Sequence, residues 1–135
     1  MRQDAQLVRD SFEAIREMST PTAMLFYGRL FDLDPSLRGL FHVDFKVQSG
    51  KLMDTLSLVV ESAERLEKLR PTLRELGRRH VDYGVRPEHY QTVSTALIWA
   101  LAQAMQPDFH DDVRAAWTRI LDEVCQEMMR GAEQG

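Results

Sequence analysis

Apolar residues recur at helical spacing along almost the whole of this chain, and alternation of period two is nowhere sustained. That pattern admits helices packed face to face and excludes a sheet. The spacing predicts helices over 4–18, 21–32, 47–66, 71–83, 87–105 and 111–129, with a short turn over 35–41 and an irregular stretch over 42–46. Val8, Phe12 and Ile15 form the first stripe; Trp117, Ile120 and Val124 belong to the last. Leu58, Val59 and Val60 would suit a buried strand only without the helical residues that flank them.

Punctuation agrees with the period. Pro21, Pro35, Pro71 and Pro87 each stand where a helix can begin, a position that needs no N–H. Ser19 and Thr20 before Pro21, and Asp34 before Pro35, are N-cap residues by type. Gly84 suits the C-terminal cap of the 71–83 helix. The reading is all-α, with about seven helices around one core, and 135 residues fit a single domain.

Hydrophobic residues make up 44% and charged residues 28%, which excludes a disordered chain. The net charge of −4 gives no basic face for nucleic acid or an anionic membrane. Arg70, Arg74, Arg78 and Arg79 cluster, but with Glu67 and Glu75 nearby they read as a solvated helix face. Cys125 is the one cysteine. It has no internal disulfide partner, fits a reducing compartment, and lies in an apolar stretch where it acts as a small hydrophobe. No apolar run reaches the roughly 20 residues that span a bilayer, and the N-terminus lacks an apolar signal core. The expectation is a cytoplasmic protein, a monomer or a weak homodimer.

His80 is the most pointed residue. Leu73 and Leu76 precede it at helical spacing, so its ring shares their apolar face. An imidazole buried there without a partner costs about 1–3 kcal/mol. A metal and a backbone carbonyl are both suitable partners. Tyr27 beside Phe26, Phe41 at the end of the 35–41 turn, and Gln48 one helical turn before Leu52 also stand out. Singly, each of these fits a packing or solvated role.

Their order and spacing carry a resemblance. The run from Phe26-Tyr27 through Leu30-Phe31 and Pro35 to Leu40-Phe41 resembles the second and third helices of bacterial single-domain haemoglobins. It is equally similar to the globin module of flavohaemoglobins. Arg78-Arg79-His80, Tyr83-Gly84-Val85 and His89-Tyr90 resemble the proximal helix and the start of the next, and Ala115-Ala116-Trp117 the last-helix motif.

The resemblance implies a globin fold around a haem b (iron protoporphyrin IX) pocket, with His80 as the iron ligand. The other ring nitrogen of His80 should donate to a backbone carbonyl near Leu76. Phe41 matches the phenylalanine that stacks on haem. Tyr27 and Gln48 match the distal polar pair that donates to bound dioxygen, and Leu52 the bulky apolar residue above the iron. Val85 should touch the porphyrin. Lys51 and Arg79 are placed for the propionates. Tyr90 matches the tyrosine near the proximal histidine. In the flavohaemoglobin type a last-helix glutamate joins that pair; here Ala132 takes its place, with Glu133 next to it and Gly131 weakening the helix just before.

His42, His89 and His110 are the remaining histidines, and all three read as exposed, with His42 also close enough in sequence to Phe41 to approach the haem edge. The implied function is reversible binding of dioxygen and other diatomic ligands. Nitric oxide dioxygenation follows when a separate reductase supplies electrons, since the chain carries no dinucleotide fingerprint of its own. The alternative is a globin-fold gas sensor or protein-interaction module.

Overall fold

The computed structural model describes residues 2–40, 45–82 and 84–134, with backbone alone at Arg2, Leu40, Phe45, Lys46, Gln48 and Gln134. Phe41, His42 and the side chain of Gln48 lie outside the described residues.

The elements run α1 (Arg2–Ile15), a 3₁₀ turn (Arg16–Met18), α2 (Ser19–Leu33), a second 3₁₀ turn (Pro35–Leu40), α3 (Phe45–Asp82), α4 (Pro87–Met105) and α5 (Asp111–Gln134). No strand occurs among the described residues. The stripes expected from sequence face inward: Val8, Phe12 and Ile15 of α1, Ala23, Phe26 and Leu30 of α2, and Trp117, Ile120 and Val124 of α5 are all buried. The most extensive pairings are α3 on α5 and α2 on α4. Trp117 is fully buried, and its Nε1–H donates to Ser11 Oγ at 2.7 Å. That bond joins α1 to α5 and satisfies the indole at no cost in exposed area. Arg119 closes the same interface with two bonds of 2.6 Å to the buried carboxylate of Asp4.

Three local expectations need correcting. The two helices expected over 47–66 and 71–83 meet at a kink with no loop between them: within α3 Arg65, with φ −131° and ψ 35°, leaves the helical region, so the second helix begins before Pro71. Pro71 lies inside it. Its ring offers no N–H to the Glu67 carbonyl and crowds it, and the backbone gives way just upstream instead of ending. Ser19 and Thr20 sit within the first turn of α2, and no side chain caps it. The preceding 3₁₀ turn feeds the chain directly into α2, leaving no extended residue to act as a cap. Third, His89 is buried, not exposed. Its Nδ1 accepts the Arg86 N–H at 3.0 Å and its own N–H donates to the Arg86 carbonyl at 2.9 Å, which makes it part of the start of α4.

Other local readings hold. Asp34 Oδ1 accepts the Ser36 N–H at 3.1 Å and starts the second 3₁₀ turn. Gly84 has φ 90°, and the Val85 N–H reaches the His80 carbonyl at 3.0 Å. Only glycine takes that conformation without strain.

Candidate functional site

His80 lies two residues before the end of α3 and is half-buried. Its Nδ1 stands 2.6 Å from the carbonyl oxygen of Leu76, one turn earlier. A carbonyl only accepts, so Nδ1 carries the hydrogen and, in the neutral ring, the lone pair is on Nε2. The tautomer is the one that ligates a metal through Nε2, with the backbone fixing ring orientation.

Tyr90, near the start of α4, sits beside it, with ring centroids 6.5 Å apart and planes at 30°. The Tyr90 hydroxyl is buried and has no hydrogen-bond partner among the described residues. Burial first, and then the neighbouring Cys125, raise its pKa. Cys125 is paired at 3.4 Å with Ser94, and its thiol is likewise pushed up by burial. Tyr90, Ser94, Asp122 and Cys125 line part of a 230 Å³ cavity between α4 and α5. Helix α5 runs through Gly131 to Gln134, so the glycine that weakens it does not end it, yet the Glu133 side chain is exposed. Glu133 does not reach the Tyr90 hydroxyl. A second cavity of 350 Å³ opens along the His80 helix, lined by Pro71, Thr72, Glu75, Leu76 and Arg79. Thr72 and Leu76 precede His80 at intervals of four and share its face.

Tyr27 lies on the buried side of α2, 8% exposed. Phe26 meets its ring edge-on at 4.8 Å, and Phe31 stacks at 6.2 Å. Burial pushes its pKa up to about 12, which keeps the phenol protonated and able to donate. Leu52 is buried and Val85 half-buried. Lys51 and Arg79 are exposed, and Arg79 has Glu75 at 3.4 Å. His110 is exposed, as expected.

The sequence reading missed Glu127. This carboxylate is 1% exposed on α5. Arg70 and Arg130 donate to one oxygen at 2.7 and 2.6 Å, and Arg74 to the other at 3.1 Å. Burial is the largest influence and raises its pKa. The Arg74 hydrogen bond and the charges of Arg130, Arg74 and Arg70 outweigh it, so the net shift is downward. Arg70 and Arg74 are thus not merely a solvated face. The signal was available: Glu127 continues the Trp117, Ile120, Val124 stripe, and a charge on a buried stripe needs partners.

Among the described residues no three His, Cys, Asp or Glu side chains converge on a point where they could hold a metal ion. His80 would hold a metal that a prosthetic group already carries, its Nε2 in the neutral ring supplying the protein's donor.

The chain is similar to known proteins over most of its length. The family model described as Globin matches residues 25–128. Neuroglobin of Tetraodon nigroviridis is 29% identical over 144 residues, covering 95% of this chain and 89% of that protein. Neuroglobin of Danio rerio is 28% identical over 142 residues, with the same coverage. In three dimensions the chain is similar to a bacterial globin from Campylobacter jejuni, with a TM-score of 0.84 at 20% identity, covering 99% and 97% of the two chains. It is equally similar, at TM-score 0.84 and 26% identity over 99% and 94%, to an engineered carbene transferase made from a Rhodothermus marinus protein described as a "putative nitric oxide dioxygenase".

Proposed function

The chain belongs to the globin family, and from that premise we propose that it holds haem b through His80 and binds dioxygen reversibly. Haem and diatomic-gas binding come with the family. The observation that carries the residue assignment is the 2.6 Å contact between His80 Nδ1 and the Leu76 carbonyl. It puts the hydrogen on Nδ1, so that in the neutral ring Nε2 is the ligand atom.

When bound, the haem iron supplies a coordination position that takes up and releases a diatomic gas. The protein's residues set the terms. His80 orients the group from one side, held in register by Leu76. Tyr27 presents a hydroxyl that burial keeps protonated. A donor aimed at a polarised ligand in a dry pocket contributes about 1–3 kcal/mol, a factor of about 5–150 in affinity. Gln48, on the first turn of α3, adds the second donor in this reading. Phe41 and Val85 pack the porphyrin, Leu52 excludes water, and Lys51 and Arg79 hold the propionates at the surface.

Nitric oxide dioxygenation extends the same reading. Nitric oxide, dioxygen and one electron become nitrate, the electron coming from a separate reductase. The similarity to the Rhodothermus protein, by the function named for it, favours this extension. A single, half-buried cysteine fits a reducing, cytoplasmic setting. No described helix is long and apolar enough to cross a membrane.

The test is an absorbance spectrum of purified protein before and after adding haemin. A Soret band that survives desalting, and is lost in His80→Ala, supports the assignment. A protein that stays colourless with haemin favours a haem-free interaction module. Stopped-flow mixing of the oxygenated protein with nitric oxide, with and without a cellular reductase fraction, then separates a carrier from a turnover enzyme.

A further inference from the structure

The half of α3 that carries His80 hangs between two backbone joints, the break at Arg65 and the glycine turn at Gly84. Something must fix it sideways. Two backbone contacts do part of this. A Cβ at Gly77 would overlap the Met128 carbonyl oxygen, and a Cβ at Gly131 would overlap the Arg74 carbonyl oxygen. The two helices therefore touch main chain to main chain just where His80 approaches.

The other part is Glu127. It accepts from Arg70 and Arg74, one helical turn apart on α3, and from Arg130 on its own helix. Both carboxylate oxygens are engaged, and the side chain is 2% exposed. Arg74 precedes His80 by six residues, about 9 Å along a rigid helix. A displacement at Arg74 is passed directly to the imidazole.

We propose that Glu127 is a positioning residue for His80: by holding Arg70 and Arg74 against α5, it sets where the ligating nitrogen is presented to the iron. The proposal rests on the haem reading above. It assigns the arginine cluster a role that its exposed members conceal.

Glu127→Gln keeps the shape and removes the charge. Asp4→Asn is its control. Asp4 is also a buried carboxylate, bonded twice to Arg119 of α5, but it lies on α1 and that pair does not involve α3. Both variants and wild type are loaded with haemin, and two properties are read. One is the iron–histidine stretching band of the ferrous, unliganded protein by resonance Raman. The other is the rate of haem transfer to excess apomyoglobin. Glu127→Gln should shift or broaden the band and speed haem loss about tenfold, the size of a lost charge-assisted bond. Asp4→Asn should lower the melting temperature while leaving both at wild-type values. Arg74→Gln, which spares the Arg70 and Arg130 bonds, serves if Glu127→Gln does not fold. An unmoved band in the α3-side variant, or equal haem loss in both variants, overturns the positioning role alone. Failure of wild type to take up haemin overturns the haem reading and this proposal with it.

Discussion

Gly77 rests directly on the main-chain carbonyl of Met128, with no room for a single methyl group between α3 and α5. Gly77→Ala should therefore destabilise the fold by about 1–3 kcal/mol, the range for forced overpacking. Gly28 is the contrast. It is exposed on α2, and a Cβ there meets nothing within 4 Å. Gly28→Ala should stabilise by roughly 0.5–1 kcal/mol, since helical alanine loses less entropy on folding. Urea midpoints of the two variants decide it, and a Gly77→Ala midpoint at or above that of wild type would contradict the close approach.

Stability should fall with acid through two named carboxylates. Asp4 is held below its ordinary 3.8, first by the Arg119 hydrogen bond. Glu127 is held below its ordinary 4.5 by its three arginines, against the opposing effect of burial. For a depressed carboxylate the stabilisation is complete above the unfolded value and disappears as pH drops through the folded one. Wild type should thus be level above about pH 5 and weaken steadily below it. Asp4→Asn and Glu127→Gln should each flatten that descent. A variant with the wild-type acid slope would remove its carboxylate from the account.

Tyr27→Phe should raise the oxygen dissociation rate by roughly tenfold, a loss of about 1.4 kcal/mol. Because burial places the phenol at about 12, the wild-type rate should also be flat from neutral pH through pH 10. A step centred near 10 would mean that the ring is more hydrated than its 8% exposure indicates.

Haem loading should raise the melting temperature. At about a hundred times its dissociation constant a ligand adds about 2.7 kcal/mol, roughly 10 °C for a domain of this size. Calorimetry of apo-protein and holoprotein measures it, and coincident transitions would argue against a tight site.

Much of this was legible before any coordinates, and for a common reason. Val8, Phe12, Ile15, Trp117 and Ile120 obey a local period, and local periods are written in the chain. Asp34 and Gly84 act through bonds to residues two to four positions away. His80 and Leu76 are likewise neighbours along one helix. What escaped depends on distant partners. Glu127 stands on the buried stripe of α5, but its partners Arg70 and Arg74 lie more than fifty residues earlier and nothing local names them. Gly77 and Gly131 look like helix weaknesses until each is set on the other helix's backbone. His89 looked exposed because it opens a helix, a place usually solvated. Pro71 suggests a helix start because proline is favoured in the first turn, but the kink lies upstream at Arg65 and the helix that packs on α5 runs through the proline.

The bend at Arg65 turns one helix into two arms with independent moorings. Leu56 and Val59 anchor the first in the core, and Glu127 grips the second from α5. Substitutions confined to different arms share few neighbours, so their energetic effects should sum without coupling. Such a joint lets one side of the molecule be retuned by mutation while the other keeps its settings.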